Sequence, residues 1–248
     1  MSNWSARERY SFTALLNNGE ETTHEVHVGG DGPPVLILQE LPGIGPETLD
    51  LAQRLNDSGF SVYLPHLFGT FGKTESVRNF ARLFCVRREI NMFLKGKQSP
   101  VAEWLRALTA DINRREGDRG VGVIGMCLTG SIALPLMAED AVVGGVASQP
   151  ALPLFFGRST PPMSPQDITA ARAAMQDKGP GLAMRFDKDW MSSRAHMTAL
   201  QQAFGDDLDT EIFPGSKHSL LTLDFHQPAY DRVEAYFQAR FDQAALAG

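Results

Sequence analysis

Short apolar runs alternate with stretches of helical periodicity along most of this chain. Residues 10–16 and 22–28 read as two strands around the turn Asn17-Asn18-Gly19, a hairpin signal. Val35-Leu36-Ile37-Leu38 is continuously apolar, as expected of a central parallel strand buried on both faces. It ends in a Gly/Pro loop, Gln39 to Gly45, and a helix is expected over 46–58, with Pro46 in its first turn. A strand is predicted over 60–64, stopping at Pro65-His66, and a mixed helical stretch over 75–94. Pro100 opens a helix to about residue 115. Beyond it the pattern predicts strands over 121–125, 141–148, 181–186 and 208–213. Helices are predicted over 128–137, 165–176, 192–204 and 228–244, and residues 150–165 read as a loop. This alternation predicts one α/β domain spanning 1–248, with a mostly parallel central sheet, helices on both faces and an N-terminal hairpin.

One stretch stands out within that pattern. Gly125-Met126-Cys127-Leu128-Thr129-Gly130 joins a strand to a helix through small residues. A nucleophile elbow has this layout: it presents a reactive side chain, exposed, on a tight strand–turn–helix bend. Here the side chain is a thiol, and a helix N-terminus is expected to lower its pKa. A free cysteine is more often small core filler; the flanking glycines and elements favour the reagent.

Composition changes little. The chain has 248 residues, 43% hydrophobic and 21% charged, with a net charge of −6. No basic stripe points to nucleic acid. The polar N-terminus does not look like a signal peptide, and no apolar run approaches the roughly 18 residues that span a bilayer. With only Cys85 and Cys127, no disulfide framework is implied, and a cytoplasmic location is the expectation. No metal-ligand spacing and no nucleotide loop are visible, so no cofactor and no metal are expected.

In open α/β sheets, sites form beyond the carboxyl ends of the strands. Glu40, Cys127, Asp189 and His218 each follow a predicted strand. His218 sits in a glycine-containing loop, free to serve as a general base; His66 is a rival because it too follows a strand. A carboxylate at Asp189 can orient the imidazole, with Asp187 as the alternative. Either acid could instead cap the next helix. The order nucleophile, acid, histidine is that of α/β-hydrolases.

On these residues the chain resembles the dienelactone hydrolase family of α/β-hydrolases, from about Val35 to the C-terminal helix. The resemblance rests on Gln39-Glu40, the elbow, Asp189 and Phe213-Pro214-Gly215-Ser216-Lys217-His218. It implies a cysteine that attacks an ester or lactone carbonyl, with His218 and Asp189 completing a triad. It further implies that Glu40 meets the resting thiol and helps generate the thiolate when substrate arrives, and that the backbone N–H groups of Leu41 and Leu128 form the oxyanion hole. Two positions depart from the family pattern. Thr129 stands where glycine is usual, and Thr222 stands where an arginine holds a substrate carboxylate. Arg78, Arg82, Arg87 and Arg88 are candidates to supply that charge, or form a solvated helix face.

The expected function is hydrolysis of a small ester or lactone through an acyl-enzyme, by a monomer or weak dimer whose partner is a small molecule. A hydrolase of another bond type, or a non-catalytic small-molecule binder on the same scaffold, are the alternatives. The apolar segment 149–156 is a candidate pocket wall.

Overall fold

The computed structural model describes residues 4–40, 43–73, 100–151 and 163–247. The predicted helix over 75–94 with its four arginines, the centre of the 150–165 loop, Leu41 and Cys85 lie outside the described residues.

Strands β1 (Glu8–Leu15) and β2 (Glu21–Gly29) form the expected antiparallel hairpin. Gly19 turns it at φ 83°, a conformation that costs glycine little. Strand β3 (Pro34–Leu38) leads to helix α1 (Pro46–Asp57), and β4 (Ser61–His66) follows. Helix α2 (Pro100–Arg115) precedes β5 (Val121–Met126). A single 3-10 turn, Cys127–Thr129, then passes into α3 (Gly130–Leu136). Next come β6 (Val142–Ser148), α4 (Pro165–Lys178), β7 (Gly181–Phe186), α5 (Arg194–Phe204), β8 (Leu208–Phe213) and α6 (Gln227–Ala247).

The eight strands make one sheet in the order β1-β2-β4-β3-β5-β6-β7-β8. From β4 to β8 all neighbours are parallel, while β2 joins β4 antiparallel. This is an α/β-hydrolase sheet, with the hairpin at one edge. Strand β4 runs two residues further than its apolar stretch suggests, because Pro65 and His66 still face β2 in register. Pairing, which a local pattern cannot display, extends the strand there.

Alternate residues of β3 divide the core. Leu36 and Leu38 pack with α2, α3, α4 and α5, and Val35 and Ile37 with α1 and α6. Helices therefore cover both faces, and each fully buried aliphatic side chain contributes about 2 kcal/mol. The parallel strands all point their carboxyl ends to one edge, where the residues that follow them meet.

Candidate active site

Cys127 begins the 3-10 turn after β5 with φ 54°, left-handed backbone that a non-glycine residue rarely adopts. Its neighbours make the bend possible. A Cβ on Gly125 would lie 2.2 Å from the Thr129 carbonyl oxygen, and one on Gly130 would lie 3.0 Å from Pro150 Cα. Two expectations change here. The thiol is not exposed: Cys127 retains 6% of its surface. Nor is its pKa lowered. Burial pushes it up to about 12, with the charges of Glu40 and Asp189 adding to burial and the Leu128 N–H opposing it. The resting group is a thiol, not a thiolate.

Glu40 follows β3 and is also buried. Thr222 donates to its Oε1, while Ser219 Oγ and Gln149 Nε2 approach Oε2, each at 3.4 Å. Burial raises the Glu40 pKa; these donors and the nearby His218 pull against it without cancelling it. Glu40 thus acts electrostatically on both the thiol and the imidazole, which places these side chains near one another. Gln149 holds its position with φ 35°, a second strained residue at the site.

Asp189 Oδ2 accepts from His218 Nδ1 at 2.7 Å. Its Oδ1 accepts from the N–H groups of Met191 (2.8 Å) and Ser192 (3.1 Å). Burial alone would raise the Asp189 pKa, but these hydrogen bonds outweigh it and hold the carboxyl below its ordinary value. Asp187 does not meet the ring; it accepts from Gly215 N at 2.8 Å and ties the loop after β7 to the loop after β8. With Nδ1 committed, His218 Nε2 is buried and has no hydrogen-bond partner. Neither acid caps α5, whose first turn is capped by Ser193.

The Asp189 loop is built over Arg185, which is only 2% exposed. Its guanidinium donates to the carbonyls of Asp187 (3.2 Å), Asp189 (2.8 Å) and Ser192. The His218 loop is braced by Asp224, which accepts from His218 N at 3.0 Å and Ser219 N at 3.2 Å.

A model of the dienelactone hydrolase family matches residues 23–239. The chain belongs to that family. Membership makes it a hydrolase acting on ester bonds. No curated protein matches the chain in sequence. Among solved structures, a Klebsiella pneumoniae protein assigned as a dienelactone hydrolase superposes with a TM-score of 0.61 at 17% identity, over 96% of this chain and 100% of that one. TT1662 from Thermus thermophilus gives 0.59 at 18% identity, over 94% and 98%. A thermostable carboxyl esterase from Bacillus coagulans gives 0.60 at 10% identity, over 94% and 99%. At such identities these likenesses speak for the fold.

Both departures from the family pattern have a structural account. The close contacts of the elbow fall on Gly125 and Gly130, so position 129 can carry a side chain. Thr129 Oγ1 turns toward the strand ends, accepting from Met126 N at 3.0 Å and lying 3.3 Å from Leu38 O. Thr222, in the place of the arginine, gives its hydroxyl to Glu40. Leu128 N–H acts on the Cys127 sulfur; Leu41 lies outside the described residues. His66 is part of β4, donates to Gly69 O at 3.0 Å and lies beside His27, not beside Cys127.

Gln149, Ser219, Thr222, Asp224 and Arg185 had not been singled out for these contacts. Gln149 follows β6 and three of the others follow His218 closely, so a search of polar residues near strand ends would have reached them. Arg185 carried a plainer signal, an arginine inside an otherwise apolar strand.

Proposed function

We propose that this protein cleaves a small ester or lactone with Cys127 as nucleophile. The observation that carries this reading is the 2.7 Å contact of Asp189 with His218, which leaves Nε2 turned away from the acid and free of any partner. A histidine held in this way has Nδ1 protonated and a lone pair on Nε2, as a general base requires. Substrate entry brings the thiol to that nitrogen. Nε2 takes the proton, sulfur attacks the carbonyl carbon, and the Leu128 N–H, with Leu41 as its expected partner, stabilises the oxyanion. Collapse expels the alcohol oxygen, which takes the proton back from His218 and leaves a thioester. Water, deprotonated by His218, then attacks the thioester and regenerates the thiol.

Glu40 supports this cycle by keeping the resting thiol protonated. A protonated buried thiol resists oxidation and alkylation until substrate arrives. Thr222 binds Glu40 and offers no cation, so the described part of the site favours a substrate without a carboxylate at that position. A reducing compartment suits a mechanism that needs a free thiol.

The test is hydrolysis of small activated esters and lactones, with and without a free carboxylate, by the wild type and Cys127→Ala. Loss of turnover, with a thioester adduct on Cys127 detected by mass spectrometry in the wild type, is the expected result. Retained turnover in Cys127→Ala would overturn the assignment.

A further inference from the structure

At the β2–β4 junction, away from Cys127, three side chains with metal-ligating atoms converge. Glu25 and His27 are two residues apart on β2 and so share a face of the sheet. The antiparallel register sets Glu25 opposite His66 and His27 opposite Leu64, on the face that packs α1 and α6. One ligating atom from each of Glu25, His27 and His66 lies within 4.8 Å of the others.

The chemistry of the two rings fits ligation. His66 Nε2 meets the Gly69 carbonyl at 3.0 Å. A carbonyl only accepts, so Nε2 carries the proton and Nδ1 keeps the lone pair. The far nitrogen of a metal-ligating histidine is commonly held this way. His27 Nε2 lies 3.1 Å from Glu25 Oε2. Its other nitrogen, Nδ1, is buried and has no hydrogen-bond partner. Phe71 stacks on this ring at 3.8 Å and closes one side of the cluster. His27 is 1% exposed.

We propose that Glu25, His27 and His66 bind a divalent transition-metal ion, Zn2+ by ligand preference, with water completing the coordination. Two imidazole nitrogens and one carboxylate oxygen suit zinc and its neighbours; magnesium and calcium take oxygen donors. Zinc bonds of about 2.0–2.2 Å set neighbouring donors roughly 3.4 Å apart. The His27–Glu25 pair already stands at 3.1 Å, and rotation of the partly exposed His66 and Glu25 closes the remainder. Arg9, opposite His27 on β1, opposes the ion: its guanidinium is 3.9 Å from Glu25 Oε1. That side chain is 64% exposed and can swing to solvent. Sequence spacing hides the site because β3 and α1 separate the two histidines.

The experiment uses the full chain carrying both Cys85→Ser and Cys127→Ser, so that no thiol competes. Co2+ is titrated in, its visible absorption followed, and Zn2+ then added to displace it. One equivalent is expected to bind. Affinity should fall about a hundredfold in His66→Gln and His27→Gln and about tenfold in Glu25→Gln, and rise severalfold in Arg9→Ala. His27 is buried, so circular dichroism checks that variant's fold, and His66→Gln, whose ring reaches solvent, carries the test independently. No binding at about 1 mM ion, unchanged affinity in His66→Gln, or loss of binding in His218→Gln would each overturn the proposal.

Discussion

Glu40 and Asp189 both follow parallel strands, both are buried, and their carboxyl groups are driven in opposite directions. Asp189 accepts from two backbone N–H groups and an imidazole, and its pKa falls. Glu40 meets only neutral side chains, two of them at 3.4 Å, and its pKa rises. Desolvation is the largest single influence on each. What differs is whether hydrogen bonds to the charged form exceed it. One site thus holds an acid suited to stabilise an imidazolium and an acid that discourages a resting thiolate. Similar positions in the fold acquire separate roles from their surroundings alone.

The strongest way to break this contrast is at Asp189. Asp189→Asn removes the charge and permits the wrong His218 tautomer; kcat for an activated ester should drop about ten-thousandfold, with little change in KM. A drop below tenfold would show that the contact is structural. Arg185→Met should come next, because it strips three loop carbonyls of their donor. It should cost about 3 kcal/mol in urea unfolding and lower kcat as the Asp189 loop loosens.

Glu40→Gln tests the other half. The Cys127 pKa, read from alkylation rate against pH, should move down from about 12 because a like charge has gone. Ester turnover should nevertheless fall about a hundredfold if Glu40 also helps generate the thiolate when substrate arrives, as the resemblance to the family implies. If both quantities stay put, Glu40 only fills space.

His196 is the control for burial without any partner. Both its ring nitrogens are buried and unpaired, and desolvation alone lowers its pKa to about 4. The folded state therefore binds fewer protons than the unfolded chain between about pH 4 and 6.5, so stability is lost as pH falls through that window. His196→Leu should flatten the fall in unfolding free energy there, read by urea denaturation across that pH range, a difference of a few kcal/mol at most. The smallest effect is expected at the elbow itself. Cys127→Gly removes the proposed nucleophile but also the strain of φ 54°, and should stabilise the fold by about 1 kcal/mol.

Most of the fold was legible because its signals are local. The apolar run at Val35–Leu38 marks a strand buried on both faces. Glycines mark the hairpin turn, and Pro46 and Pro100 sit at helix starts. Strand β4 was cut short because Pro65 and His66 look like a loop until β2 is beside them. The four candidate residues were legible as strand-end positions, with the resemblance lifting Glu40 above other acids. The thiol's state was misread for a physical reason. The dipole of a following helix can be inferred from sequence, but the exclusion of water and the presence of two carboxylates cannot.

The sequence by itself therefore determined the alternation of elements, the order of Cys127, Asp189 and His218 after their strands, and the family. Those depend on residue type and spacing along the chain. Only the tertiary structure decided that the Asp189 carboxylate, not that of Asp187, faces His218. It alone decided that Arg185 carries the loop, that Cys127 rests as a buried thiol, and that Glu25 and His27 meet His66. Each of these depends on which distant groups exclude water and share a hydrogen bond. Strand register and burial set that, and neither is written in any one stretch of the chain.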